Sequence, residues 1–147
     1  MKRLCALAAL CALFATPAFG QSIEFMDRVA GSPSIAYGDA AYLVLVATDN
    51  IAENAGTVRS LDLAKQNKWV KAAMVPETPI SLDSYSYLLM RSFGLRGGLM
   101  YRLLPGPRYA FHELIALGVI QGDYDPAEKV DGALAVRMLG RIFEIVE

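Results

Sequence analysis

The feature that most narrows what this chain can fold into is an internal repeat. Shifted by fifty residues, the C-terminal region falls into register with itself. Trp69-Val70 meets Val119-Ile120, Pro76 meets Pro126, Ile80 meets Val130, Leu88-Leu89 meets Met138-Leu139, Arg91 meets Arg141 and Phe93 meets Phe143. Four of these pairs are identities, and the rest mostly keep apolar character. A third, half-length copy lies forty-five residues upstream, with Ile35 in the place of Ile80 and Leu43-Val44 in that of Leu88-Leu89. A unit that recurs at this spacing cannot bury its apolar face alone, so the copies must pack on one another.

Each copy reads as helix, loop, helix. In the last, Pro107 suits the first helical position, Phe111, Leu114, Ile115 and Leu117 have helical spacing, and Gly118 suits the end. An apolar clip, Val119-Ile120, precedes a polar loop, Gly122 to Pro126. Asp131 is a good N-cap for a second helix with Leu134, Ala135, Met138, Leu139, Ile142 and Val146 on one face. The middle copy predicts a helix near Leu61–Asn67, the Trp69-Val70 clip, and a helix capped by Ser81 with Tyr85, Leu88, Leu89 and Phe93 on one face. The upstream copy predicts a helix over Gly38–Thr48, with strand as the rival for Tyr42–Val46. The link from Ala52 to Val58 is polar, and 21–33 reads as an irregular arm. The expected fold is all-α: five or six short helices in repeated helix-loop-helix units around one core. The units are placed at 34–48, 59–93 and 105–147, with a Gly/Arg-rich insertion at 94–104.

The first twenty residues are read apart from the fold. Lys2 and Arg3 precede an apolar run from Leu4 to Ala15, Pro17 breaks it, and Ala18-Phe19-Gly20 offers small residues before a cleavage point at Gln21. This is the layout of a signal peptide, and it predicts an exported protein, periplasmic or at the cell surface. The run is short of the roughly twenty residues a membrane span needs, and charged residues interrupt every later apolar stretch. Leu10 before Cys11 is a poor context for a lipidated cysteine. Both cysteines, Cys5 and Cys11, leave with the leader, so no disulfide is expected. Loss of Lys2 and Arg3 takes the formal charge from −1 to −3, and no basic stripe of the kind nucleic acid requires remains.

The stretch YAFHELIALGVIQGDYDPAEKVDGALAVRMLGRIFE resembles a unit of the S-layer homology family. Those units have a helix ending in L-x-x-x-G-[IV]-[IV]-x-G, a loop with Asp and Pro, and a second helix ending in a motif like M-L-x-R. Residues 59–93 resemble it more loosely, and 34–48 resemble its second helix alone. The resemblance implies three units in pseudo-threefold packing, with grooves between them that bind cell-wall polysaccharide. In that family an Arg and a Glu at the start of the second helix contribute to binding. Here the stretches read Ile80-Ser81-Leu82-Asp83-Ser84 and Val130-Asp131-Gly132-Ala133-Leu134, with neither. The insertion GLRGGLMYRLLPGPRY is similar to segments of small exported spirochaete envelope proteins.

That insertion holds the expected ligand-binding residues: Arg96, Tyr101, Arg102, Arg108 and Tyr109. Arginine forks bind carboxylates and phosphates, tyrosines stack on sugar faces, and Gly94, Gly97 and Gly98 let the backbone approach a ligand. The structural alternative is a connector whose arginines pair with Asp83, Glu113 or Asp123. Leu99, Met100, Leu103 and Leu104 are assigned to the core in either case. Asp123, Asp125 and Asp131 have part of a calcium-loop spacing, but Leu134 stands where a bidentate acid is required, so a capped loop is the reading. His112 has no sequence partner for a metal or nucleophile site and reads as a surface or half-buried structural residue. No cofactor, metal or catalytic group is expected. Trp69 is either the core clip of its unit or a glycan-stacking residue. The expected function is non-catalytic binding at the cell envelope, to peptidoglycan or an associated anionic glycan. The alternative is a periplasmic scaffold or adaptor for a protein partner.

Overall fold

The computed structural model describes residues 18–146; the leader read for 1–20 therefore lies mostly outside the described residues. Among the described residues seven α-helices follow one another: α1 (Ala18–Ala30), α2 (Tyr37–Ala47), α3 (Gly56–Gln66), α4 (Leu82–Ser92), α5 (Leu99–Leu103), α6 (Pro107–Ala116) and α7 (Gly132–Val146). A single 3-10 turn, Glu53–Ala55, precedes α3. The fold is all-helical, as expected, but two of its helices, α1 and α5, lie in segments read as an irregular arm and an insertion.

The repeat becomes a ring of backbone hydrogen bonds. Ile35 N–H donates to Val130 C=O (2.8 Å), Val130 N–H to Ile80 C=O (3.2 Å), and Ile80 N–H to Ile35 C=O (3.0 Å). These three residues occupy equivalent places in the three copies, so the chain closes on itself about a pseudo-threefold axis. Flanking bonds repeat the pattern: Tyr37 N–H to Thr78 C=O, Leu82 N–H to Glu128 C=O, and Gly132 N–H to Ser32 C=O. The side chains at the centre are β-branched and fully or almost fully buried, so the polar ring sits in an apolar core where every donor needs its acceptor.

Around this ring the helices pair in one cyclic order: α2 packs on α3, α4 on α6, and α7 on α1. The last pair corrects the sequence reading. Residues 21–33 are not an irregular arm through most of their length. They supply the first helix that the upstream copy lacked, with Val29 buried and Phe25 packed on the core. The approach is close at the start of α7, where a Cβ on Gly132 would stand 1.5 Å from Val29 O.

Local signals explain most boundaries. Pro107 is at the start of α6, and Asp131 Oδ1 accepts from Leu134 N–H at 2.7 Å, capping α7. Ser81 stands at the N-cap of α4, but its hydroxyl donates to Asp83 Oδ1, and no backbone N–H of α4 is capped by it. α3 begins at Gly56, earlier than the apolar pattern suggests, and within it Ser60 is buried with its hydroxyl donating to Gly56 C=O (2.7 Å). Tyr42–Leu45, where strand was the rival, are helical and buried within α2.

The ends of α3 and α6 match bond for bond. Trp69 and Val70 N–H both donate to Ala64 C=O, as Val119 and Ile120 N–H do to Leu114 C=O. Gly118 passes through the left-handed region (φ 74°) to make its turn, and Lys68, its counterpart, does the same (φ 60°).

A candidate cationic groove and cleft

Two depressions share Pro105 as a common wall. The first, about 390 Å³, runs between the end of α3 and the Pro105–Pro107 turn. Its polar and aromatic lining is Lys65, Lys68, Lys71, Trp69, Tyr37 and Tyr87, with Ser84 at the edge. Lys65 lies 3.9 Å from Asp62, whereas Lys68 and Lys71 make no ion pair among the described residues. Trp69 is half-buried, so it both packs against the core and shows a face to the groove.

The second depression, about 610 Å³, is lined by Arg91, Arg96, Arg102, Tyr101, Met90 and Leu95, among others. It brings together three of the five residues expected to bind a ligand. Arg108 and Tyr109 line neither depression: Arg108 is exposed on α6, and Tyr109 packs partly against the core. Tyr101 is only 4% exposed, so it cannot stack on a sugar face. Its ring packs against Gly97, where a Cβ would come within 2.7 Å of Cδ1, and meets Tyr87 edge-on. Its hydroxyl makes no hydrogen bond among the described residues. Burial, and then the neighbouring Tyr87, pushes its pKa up to about 12, against the opposing pull of Arg91.

The arginines of the insertion do not pair with Asp83, Glu113 or Asp123: no ion pair of Arg96, Arg102 or Arg108 occurs among the described residues. Arg91 is exposed over the Tyr87 ring, 6.0 Å from its centroid. Its repeat counterpart Arg141 instead donates to Val119 C=O at 2.8 Å and ties the apolar clip to α7. One arginine of the repeat is thus structural and the other faces the cleft.

A second correction concerns α5. Leu99, Met100, Leu103 and Leu104 are 69%, 51%, 65% and 57% exposed and do not join the core. A one-turn helix buries one face only, and here that face is Tyr101. The calcium-like loop is occupied with its own backbone, Asp125 Oδ1 accepting from Ala127 N–H at 2.8 Å. His112 is exposed on α6. At the positions that open α4 and α7, Leu82 and Gly132 are buried.

The lysine groove is absent from the sequence reading, yet the fifty-residue shift carries its signal. Lys68 stands where the other copy has Gly118, at a turn that favours glycine. Compared with known proteins, the chain matches no family model, no curated protein and no solved structure.

Proposed function

We propose that the chain is a non-catalytic binding module for an anionic cell-envelope polymer, peptidoglycan or a glycan attached to it, held in the groove of Lys65, Lys68, Trp69 and Lys71. The observation that carries this reading is the backbone of Lys68. A non-glycine residue in the left-handed region costs on the order of 1 kcal/mol, and such strain concentrates at functional sites. The pseudo-equivalent turn is made without that cost by Gly118. Keeping a lysine there places an unpaired cation beside Trp69. The groove volume falls within the roughly 300–1,000 Å³ of small-ligand sites. Sugar faces stack on the aromatic rings while phosphate or carboxylate groups meet the lysines.

The test is co-sedimentation of the chain from Gln21 onward with purified bacterial sacculi, beside a folded Lys68→Gln/Lys71→Gln variant. Wild type is expected to pellet, less so as salt rises, because exposed charges are screened. The variant is expected to bind about tenfold more weakly, a loss of about 1.4 kcal/mol. Equal pelleting of the two sinks the reading. The adaptor reading would use the apolar ridge of α5 instead, a separate surface with its own test.

A further inference from the structure

From Ser84 to His112 the chain carries four arginines and no aspartate or glutamate; Asp83 and Glu113 flank the stretch, and the Glu113 carboxylate lies beside Gly98 at the start of α5, which leaves the surroundings net positive. In the middle of this cationic stretch stands the exposed apolar ridge of α5. At about 100° per residue, Leu99, Met100 and Leu103 fall within an arc of roughly 100°. Leu104, the C-cap, prolongs the apolar run, Tyr101 turns inward, and Arg102 flanks the arc. Arg96, also exposed, stands three residues before the ridge.

Four large apolar side chains clustered on a soluble surface mark a contact site. The charges around them select its partner. A second copy of the chain would bring like-charged arginines face to face, which disfavours self-association through this ridge. An anionic phospholipid surface meets both features at once: apolar side chains enter the boundary of the acyl region, and arginines sit at the level of the phosphates. The cleft beside the ridge adds a third feature. Arg91, Arg96 and Arg102 line it, so guanidinium groups gather beside the ridge at the level where headgroup phosphates would lie.

We propose that α5 is a membrane-contact ridge: Leu99, Met100, Leu103 and Leu104 enter an anionic phospholipid surface, and Arg96 and Arg102 hold its headgroup phosphates. This goes beyond the polymer reading and does not rest on it, because a polymer in the lysine groove leaves the ridge uncovered.

The test uses the chain from Gln21, which keeps every core residue found among the described residues, Val29 to Ile142. Flotation is measured with vesicles of phosphatidylcholine alone and with one-third phosphatidylglycerol. Wild type is expected to float with the anionic vesicles only. Leu99→Ser/Leu103→Ser is expected to bind them at least tenfold more weakly while keeping its helical circular dichroism and its sacculus binding. Arg96→Gln/Arg102→Gln is expected to lose the preference for anionic lipid. Because this form has no cysteine, a Leu103→Cys variant carries a single polarity-sensitive dye, whose emission is expected to shift to the blue on binding. The proposal is overturned if wild type does not float with anionic vesicles, or if the serine variant floats as well as wild type. It is equally overturned if sedimentation shows a dimer that the serine variant abolishes, since the ridge is then a protein interface.

Discussion

The phenol of Tyr85 donates a 3.0 Å hydrogen bond to the carbonyl of Ala135, its own counterpart fifty residues along the chain. The third member of the set is Ala40, and all three are fully buried. One large residue and two small ones therefore share the space beside the ring formed by Ile35, Ile80 and Val130. The same pairing of counterparts recurs at the helix ends, where the rings of Phe93 and Phe143 meet edge-on, 5.3 Å apart. The symmetry of the backbone is thus filled by an asymmetric choice of side chains.

Substitutions at Tyr85 separate its two contributions. Tyr85→Phe keeps the ring and loses the hydrogen bond, an expected cost of about 1 kcal/mol. Tyr85→Ala empties the centre and is expected to cost about 3–5 kcal/mol, as large buried aromatics do. Urea denaturation of both variants checks the order. A Tyr85→Phe cost as large as that of Tyr85→Ala would mean that the ring contributes little.

Two glycines of α7 predict opposite effects. At Gly132 a Cβ would collide with backbone, Val29 O and C, which no side-chain movement relieves. Gly132→Ala is expected to push α1 off α7 and lower stability by about 3 kcal/mol. Hydrogen exchange should then quicken over residues 23–35 before the rest. At Gly140 nothing lies within 4 Å of the built Cβ, so Gly140→Ala should stabilise the mid-helix position by about 0.5–1 kcal/mol.

The periodic part of this architecture was legible because the copies conserve both spacing and burial. Pro76 and Pro126, Ile80 and Val130, and Leu89 and Leu139 sit at matching places in the fold. The first helix was not legible for a physical reason. It ends at Ala30, five residues before Ile35, whereas α3 ends fourteen residues before Ile80, so no single shift brings it into register, and among its described side chains only Val29 is buried, so its apolar pattern is weak. The ridge was misplaced because apolar composition says what can be buried, not what has something to be buried against. Four of six residues in 99–104 are apolar side chains turned outward, while the hydroxyl-bearing Tyr101 is inside. The arginine cleft was half legible: Arg96, Arg102 and Tyr101 come together through α5, and Arg108 is carried away on α6. The lysine groove was hidden because lysines at 65, 68 and 71 look like a solvated helix end until Lys68 is compared with Gly118.

Stability is expected to fall at alkaline pH. Burial raises the Tyr85 phenol well above its ordinary value of 10.0, and raises Tyr101 to about 12. For a group whose folded pKa is raised, the contribution is fully present below the unfolded value and is lost as pH climbs toward the folded one. Melting temperature should therefore be insensitive to these phenols below about pH 10 and drop above it. Tyr85→Phe should make the alkaline drop shallower, although it lowers stability at neutral pH. Melting curves between pH 8 and pH 11.5 give both signs in one series. An unchanged slope in the variant would mean that the Tyr85 phenol reaches solvent and titrates alike in the folded and unfolded states.

Lys68 gives the sharpest separation of stability from binding. Lys68→Gly relieves the left-handed turn and should raise stability by about 1 kcal/mol, or a few degrees in melting temperature. The same change removes a cation from the groove and should weaken sacculus binding. Lys68→Ala removes the cation but keeps the strain, so it should bind as weakly as Lys68→Gly without the gain in stability. A lysine serving only as a solvated helix end predicts something different: Lys68→Gly would be more stable and bind as wild type does. Melting and co-sedimentation of the two variants together distinguish a strained residue kept for its ligand from one that is merely tolerated.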